Sequence, residues 1–243
     1  MTISSTQNEK IKKTILLRNK KDRDDTNLFI VEGDHLISEA FVASQLIEIF
    51  TTDEEYKLEN IPINYVTKTV MGKLSNQKSI PKLIGICQKN TEKPISGNVL
   101  MLDKIQDPGN LGGIIRSAVA FNIDTIILSP DCVDLYNDKV IRSTEGLIFK
   151  INILVSPLAE YIITLKKLNY QVIGTKVDGE DLDFNVNSLY ALILGNEGQG
   201  VSKELLEMCT KFVTIPINPK CESLNVGVAT GILLYEINKG VKC

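Results

Sequence analysis

The chain has 243 residues, 43% hydrophobic and 23% charged, which supports a sizeable core and excludes wholesale disorder. No apolar run approaches the length that spans a bilayer, and the polar N-terminus lacks the apolar core of a signal peptide, so a cytoplasmic protein with no membrane partner is expected. A net charge of −3 and a pI near 5.4 argue against nucleic acid for the molecule as a whole. Phosphate contacts answer to local clustering, however, and residues 9–23 carry seven basic side chains against two acidic ones.

In chain order, a helix is expected from residues 4–5 through this basic stretch. It offers Lys12, Lys13, Arg18 and Arg23 as candidate RNA contacts; a solvated helix face would present the same charges. Residues 28–31 (Leu-Phe-Ile-Val) read as a short strand. Gly33-Asp34 introduces a helix with Leu36, Ile37, Ala40 and Phe41 at helical spacing. Strands are expected at 46–51, 63–66 and 83–87, with a helix starting at Thr67 between the last two. This alternation describes a small α/β domain. The polar stretch 89–98, with Pro94 and Gly97, reads as a linker, giving domains at 1–93 and 98–243.

Beyond the linker, 99–102 and 126–128 are strands of the buried type, separated by a helix over 110–121. Strand 151–155 leads through Pro157 to a helix at 158–168, and strands follow at 171–175 and 190–194. A helix from Ser202, a last strand at 212–215 and a helix from Ser223 to Lys239 complete a parallel α/β pattern, with ligand sites expected at the carboxyl ends of the strands. The five cysteines are scattered without a Cys-x-x-Cys pair and His35 is the sole histidine, so no metal site is expected and the thiols read as idle in a reducing compartment.

Three segments carry chemistry. In Leu194-Gly-Asn-Glu-Gly-Gln-Gly200, glycines follow a buried strand and precede a helix, where backbone can approach a ligand or take a positive φ. The loop lacks the lysine of a P-loop, and its Gly-x-x-Gly-x-Gly spacing is not the dinucleotide fingerprint. A structural strand-to-helix turn is the plain alternative; Glu197 makes the loop a poor phosphate cradle and a better match to a cation such as a sulfonium. Asp107-Pro-Gly-Asn-Leu-Gly-Gly-Ile-Ile-Arg116 is a turn into a helix, with Asn110 as the expected N-cap. Arg116 has to leave this apolar helix toward an acid, a phosphate or solvent. Ile215-Pro-Ile ends a strand, and Ser223-Leu-Asn225 opens the last helix, where small polar residues cap free amides and exposed N–H groups can hold an anion.

In this order and separation, the three segments resemble the signature motifs of the SpoU (TrmH-like) RNA ribose 2′-O-methyltransferases of the SPOUT superfamily. The resemblance covers roughly residues 98–239. It implies an α/β domain whose C-terminal segment threads a deep trefoil knot, which ordinary chain rules exclude, and it implies S-adenosylmethionine as cofactor. By the same resemblance the catalytic set is Asn110, Arg116, Glu197, Ser223 and Asn225. Cofactor contacts fall at Leu194, Gly195, Gly200, Ile215 and Leu224, with Thr175 and Asn196 nearby. Phe29-Ile-Val-Glu-Gly33 and Ser79-Ile-Pro-Lys-Leu-Ile-Gly85 are similar to the ribosomal-protein-like substrate domain of rRNA-modifying members. Glu145, in Ser143-Thr-Glu-Gly146, departs from the family's less acidic pattern and bears on substrate entry.

What the resemblance implies is methyl transfer to a ribose hydroxyl of RNA, most of all 23S rRNA, by a homodimer. In that dimer Arg116 reaches a cofactor held by the second protomer, and Val228, Ile232, Leu233, Tyr235 and Ile237 of the last helix offer an apolar face, which packing against the core would explain equally. The alternatives are a tRNA ribose methyltransferase and a non-catalytic RNA-binding or ribosome-assembly factor; a nicotinamide oxidoreductase lacks its fingerprint.

Overall fold

The basic stretch folds as two short helices rather than one. Helix α1 (Glu9–Leu16) starts at Asn8, whose side chain accepts the Lys10 N–H, and it buries Ile11 and Thr14. Helix α2 (Lys20–Thr26) starts after Asn19 and stops at Asn27, which takes a left-handed φ of 58°. Asparagine is favoured at helix starts, and it tolerates the left-handed region better than most residues. The bend between the helices is held by Arg23, only 6% exposed, which donates from Nη1 to the carbonyls of Leu17 (2.9 Å) and Arg18 (2.6 Å). Arg18 also turns inward, to Asn76 and the Leu74 carbonyl. Both arginines are therefore engaged by their own chain. Lys12 and Lys13 stay exposed.

The computed structural model describes residues 2–180, 188–196 and 198–239. They divide into two units: Met1–Thr91 with Tyr136–Lys150, and Glu92–Leu135 with Ile151–Cys243. In the first unit, β1 (Leu28–Glu32), α3 (Asp34–Val42), β2 (Leu46–Thr51), β3 (Ile63–Tyr65), α4 (Lys68–Leu74) and β4 (Leu83–Gln88) follow one another. The sheet order is β1-β4-β2-β3, with β4 antiparallel to both neighbours and β3 parallel to β2. As an inner strand, β4 is buried from Leu83 to Cys87. Phe50, Val70, Met71, Leu74 and Ile84 fill one core against Ile11 of α1. Thr67 caps α4 by accepting the Val70 N–H.

The second unit opens with β5 (Val99–Leu102), α5 (Pro108–Ala120) and β6 (Thr125–Leu128). The next two elements, α6 (Asp138–Ser143) and a 3-10 helix at Leu147–Lys150, belong to the first unit. There Phe29 packs its ring against Tyr136 at 4.7 Å and Phe149 at 6.1 Å, Asn90 donates to the Ile148 carbonyl, and Lys150 pairs with Glu39 at 2.8 Å. One cut at the 89–98 linker thus does not separate the units, because a segment of the later half packs with the earlier one. Glu145 lies in this segment, exposed and at a left-handed φ of 49°, with its carbonyl 3.1 Å from His35 Nε2.

The second unit resumes with β7 (Asn152–Val155), α7 (Leu158–Lys167), β8 (Gln171–Glu180), β9 (Tyr190–Leu194), α8 (Lys203–Glu207), β10 (Lys211–Val213) and α9 (Val226–Asn238). Its sheet runs β10-β8-β9-β5-β6-β7, every pairing parallel. Strands β5, β6 and β9 are buried along their whole length, as strands covered on both faces require. The chain order reverses at the β5–β9 pair, where open α/β sheets place their ligands beyond the carboxyl ends. Among the described residues, no helix is long and apolar enough to cross a membrane and no group of His, Cys, Asp and Glu could hold a metal.

The buried guanidinium yields a prediction. Arg23→Ala removes two charge-assisted bonds and strands two carbonyls, so urea unfolding should show a loss of about 2–3 kcal/mol. The double variant Lys12→Ala/Lys13→Ala should leave the unfolding midpoint unchanged; an equal loss in both variants would contradict this division of roles.

Candidate functional site

The loop after β9 is closed by its own backbone. Asn196 and Gly200 exchange both hydrogen bonds, N–H to carbonyl, at 3.1 and 2.8 Å. The Asn196 side chain accepts the N–H groups of Gly198 (2.9 Å) and Gln199 (3.3 Å) and donates to the Lys104 carbonyl at 3.0 Å. A Cβ on Gly195 would sit 2.0 Å from the Gly200 carbonyl carbon, so this glycine is dictated by closure of the loop itself. Gly200 answers to a different demand: its φ is +68° and nothing lies within 4 Å of where its Cβ would be. Glu197 falls outside the described residues.

Backbone groups around this loop divide into committed and open ones. The Leu194 carbonyl is taken by the Asp103 N–H at 2.9 Å, and Thr175 Oγ1 donates to the Ile193 carbonyl at 3.0 Å, which leaves its oxygen lone pairs available. Ile215 and Leu224 lie half-buried outside any helix or strand, and among the described residues neither main chain makes a hydrogen bond. Free amides and carbonyls next to half-buried apolar side chains suit a ligand with an apolar body and polar edges.

Two helices meet at the second part of the site. Asp107, not Asn110, caps α5: its side chain accepts the Asn110 N–H at 2.8 Å, with Pro108 in the first turn where a missing N–H costs nothing. The Asn110 side chain is thereby released from capping, and its Oδ1 accepts Nδ2 of Asn225 at 2.9 Å. Asn225 is the N-cap of α9, accepting the Gly227 and Val228 N–H groups through Oδ1. Ser223, expected to open this helix, lies two residues ahead of the cap, exposed, its carbonyl accepting the Cys221 thiol.

The same two helices run side by side in parallel. A Cβ on Gly227 would be 4.0 Å from the Asn110 carbonyl oxygen and one on Gly231 3.8 Å from Ser117 Oγ, while Tyr235 meets the Phe121 ring edge-on at 6.2 Å. Both N-termini, their first N–H groups largely capped by Asp107 and Asn225, therefore lie at one end. Arg116 stands about 9 Å along α5 from Asn110. It is exposed, on the side away from buried Leu111, Ile114, Ile115 and Ala118, and among the described residues no hydrogen bond or ion pair engages it. On α9, Leu233 is buried in the unit itself and cannot belong to an outer apolar face, whereas Val228 (52%) and Tyr235 (53%) are exposed.

The structure thus joins Asn110 to Asn225, and Thr175 to the end of β9. No hydrogen bond joins Arg116 or Ser223 to them. It also brings forward Asp103 and Lys104, which no motif reading singled out; the apolar run 99–102 ending in a charged pair was the available signal. Three of the thiols are held protonated by burial, which pushes Cys87 and Cys132 above the ordinary range and Cys209 up to about 11. The loop geometry is open to a direct check. Gly195→Ala should lower the unfolding free energy by about 1–3 kcal/mol through overpacking, whereas Gly198→Ala, whose Cβ would make an ordinary 3.5 Å contact with Asn196 Oδ1, should melt like the parent in calorimetry. Equal melting of both variants would contradict the closed loop.

A family model described as the SpoU rRNA Methylase family matches residues 97–235, and one for an MRM3-like substrate binding domain matches residues 8–85. The 23S rRNA (guanosine(2553)-2′-O)-methyltransferase RlmP of Bacillus subtilis strain 168 is 32% identical over 243 residues, covering 97% of this chain and 98% of its own. The AdoMet-bound rRNA methyltransferase from Sinorhizobium meliloti matches with a TM-score of 0.86 at 26% identity, over 100% of this chain and 99% of that one. The SpoU methyltransferase AviRb from Streptomyces viridochromogenes matches at 0.84 over 95% of this chain and 97% of that one; at 22% identity it speaks for the fold alone. With a matching model across more than half its length and a relative aligned nearly end to end, the chain belongs to the SpoU rRNA methylase family.

Proposed function

We propose that this protein transfers a methyl group from S-adenosylmethionine to a ribose 2′-hydroxyl of RNA, with 23S rRNA as its substrate. The observation that carries this is the Asn225–Asn110 pair, which brings the third motif onto the first beside two parallel helix N-termini. The near full-length likeness to RlmP, with an MRM3-like substrate domain matched at residues 8–85, favours rRNA over tRNA. A non-catalytic role is disfavoured because Asn110, Arg116, Glu197, Ser223 and Asn225 are all present.

The residues fit the cofactor. The loop at Gly195, Asn196 and Gly200 is fixed and open on one side, the main chains of Ile215 and Leu224 are uncommitted, and Thr175 offers an acceptor. When bound, S-adenosylmethionine supplies an activated methyl group on a sulfonium. The protein's task is to align a ribose hydroxyl and relieve it of its proton. Asn110, its carboxamide orientation fixed by Asn225, and Ser223 hold the ribose. Arg116 cannot act as a base because a guanidinium stays protonated. Its charge binds the adjacent RNA phosphate and stabilises negative charge developing on the ribose oxygen, and the proton leaves to phosphate or water.

The reading extends to features of the family. The segment from β9 to α9 forms a deep trefoil knot, supported by β10 lying beyond β8 while α9 returns to α5. The first unit is the ribosomal-protein-like RNA-binding domain, with Lys12 and Lys13 among its phosphate contacts. The protein works in the cytoplasm as a homodimer; exposed Val228 and Tyr235 on α9 supply part of the contact, and unengaged Arg116 holds the RNA phosphate across from the partner's cofactor site.

Arg116→Ala should cut the methylation rate by at least about 100-fold while the S-adenosylmethionine affinity, measured by calorimetric titration, stays within about twofold. A parallel collapse of affinity and turnover would show that the arginine serves the cofactor pocket instead.

A further inference from the structure

The turn after the central strand β5 carries a carboxylate to which the motifs and the mechanism above give no task. Asp103 is 3% exposed, and a charge so placed needs donors around it. Its Oδ2 accepts the backbone N–H of Ser202 at 2.8 Å. Ser202 precedes α8 and makes no side-chain cap of its own. The Asp103 main chain meanwhile donates to the Leu194 carbonyl at 2.9 Å. One residue thus grips the glycine loop at both ends, at the last residue of β9 and at the start of α8.

Its neighbour completes the anchor. Lys104, at a left-handed φ of 57°, accepts Asn196 Nδ2 at its carbonyl, and its own N–H donates to Ser129 Oγ at 2.9 Å beyond the end of β6. A two-residue turn fastened to β6 therefore holds the loop through three hydrogen bonds, two from main-chain atoms that any residue would keep. Only the Ser202 bond depends on a side chain of the turn.

We propose that Asp103 is the positioning residue of the cofactor loop, its buried carboxylate holding the Ser202 amide and so fixing the loop at Gly195, Asn196 and Gly200 in the shape that receives S-adenosylmethionine. This rests on the methyltransferase reading and deepens it. Asp103 touches neither reactant, so its loss acts on cofactor affinity and not on the chemical step.

The test is a calorimetric and kinetic comparison of the full-length protein with three variants. Asp103→Ala should raise both the Kd and the KM for S-adenosylmethionine by about tenfold or more, about 1.4 kcal/mol, with kcat and the KM for RNA within about threefold. Asp103→Asn, which keeps an oxygen acceptor, should recover most of the affinity. Ser202→Pro deletes the donor at a residue whose φ of −59° proline adopts, so it reads out the same bond should the alanine variant fail to fold. The double variant Asp103→Ala/Ser202→Pro should be no weaker than either single one, since both remove one interaction. Unchanged cofactor affinity in Asp103→Ala or Ser202→Pro, or losses that multiply in the double variant, would overturn the proposal. A parent protein that gives no heat with S-adenosylmethionine would instead sink the methyltransferase reading, and this proposal with it.

Discussion

The hydrogen bond from Asn225 to Asn110 is the constraint on which the site depends, because it joins segments 115 residues apart in the chain. One carboxamide does two things there. Its oxygen caps α9, a contribution of about 1 kcal/mol, and its nitrogen fixes which way the Asn110 amide faces. The bond forms where α5 and α9 run parallel, close enough that a Cβ at Gly227 or Gly231 would be in ordinary contact with α5. Parallel packing then puts two helix N-termini at one place, where the positive ends of two helix dipoles favour negative charge.

The second support is the reversal of strand order between β5 and β9. Open α/β sheets place ligands beyond the carboxyl ends of strands at such a reversal, and here the loop after β9 is closed by its own backbone bonds between Asn196 and Gly200. Hydrogen bonds with the 103–104 turn and to the Asn196 side chain hold the loop, so the proposed cofactor site is preformed. Arg116 contrasts with this loop. It stands exposed on α5 without a partner among the described residues.

Much of this architecture was legible because buried parallel strands write themselves as unbroken apolar runs: 99–102 and 190–194 stand in the structure where the sequence puts them. Glycine spacing located the loop, but the reason for Gly195 lies in the path of Gly200 across from it, which no local pattern encodes. The cap of α5 was misplaced because Asp107 and Asn110 are both good capping residues three apart; Pro108, favoured at the first helical position, is the discriminating sign. Arg23 reads as a surface charge from composition, and only the bend between α1 and α2 explains its burial. Packing of Tyr136–Lys150 with the first unit was equally hidden, since short helices carry too few turns for a periodic signal and their partners Phe29 and Asn90 are distant in sequence. Strand β8 runs five residues beyond Thr175, through a polar stretch that no apolar periodicity marks.

The most direct test of the account is mass-spectrometric mapping of 23S rRNA from a strain lacking this gene, after incubation with the purified protein and isotopically labelled S-adenosylmethionine. The account predicts that label appears as a single methyl on one ribose, recovered as a 2′-O-methyl nucleoside. Label on a base, or label confined to tRNA in a parallel reaction, would contradict it.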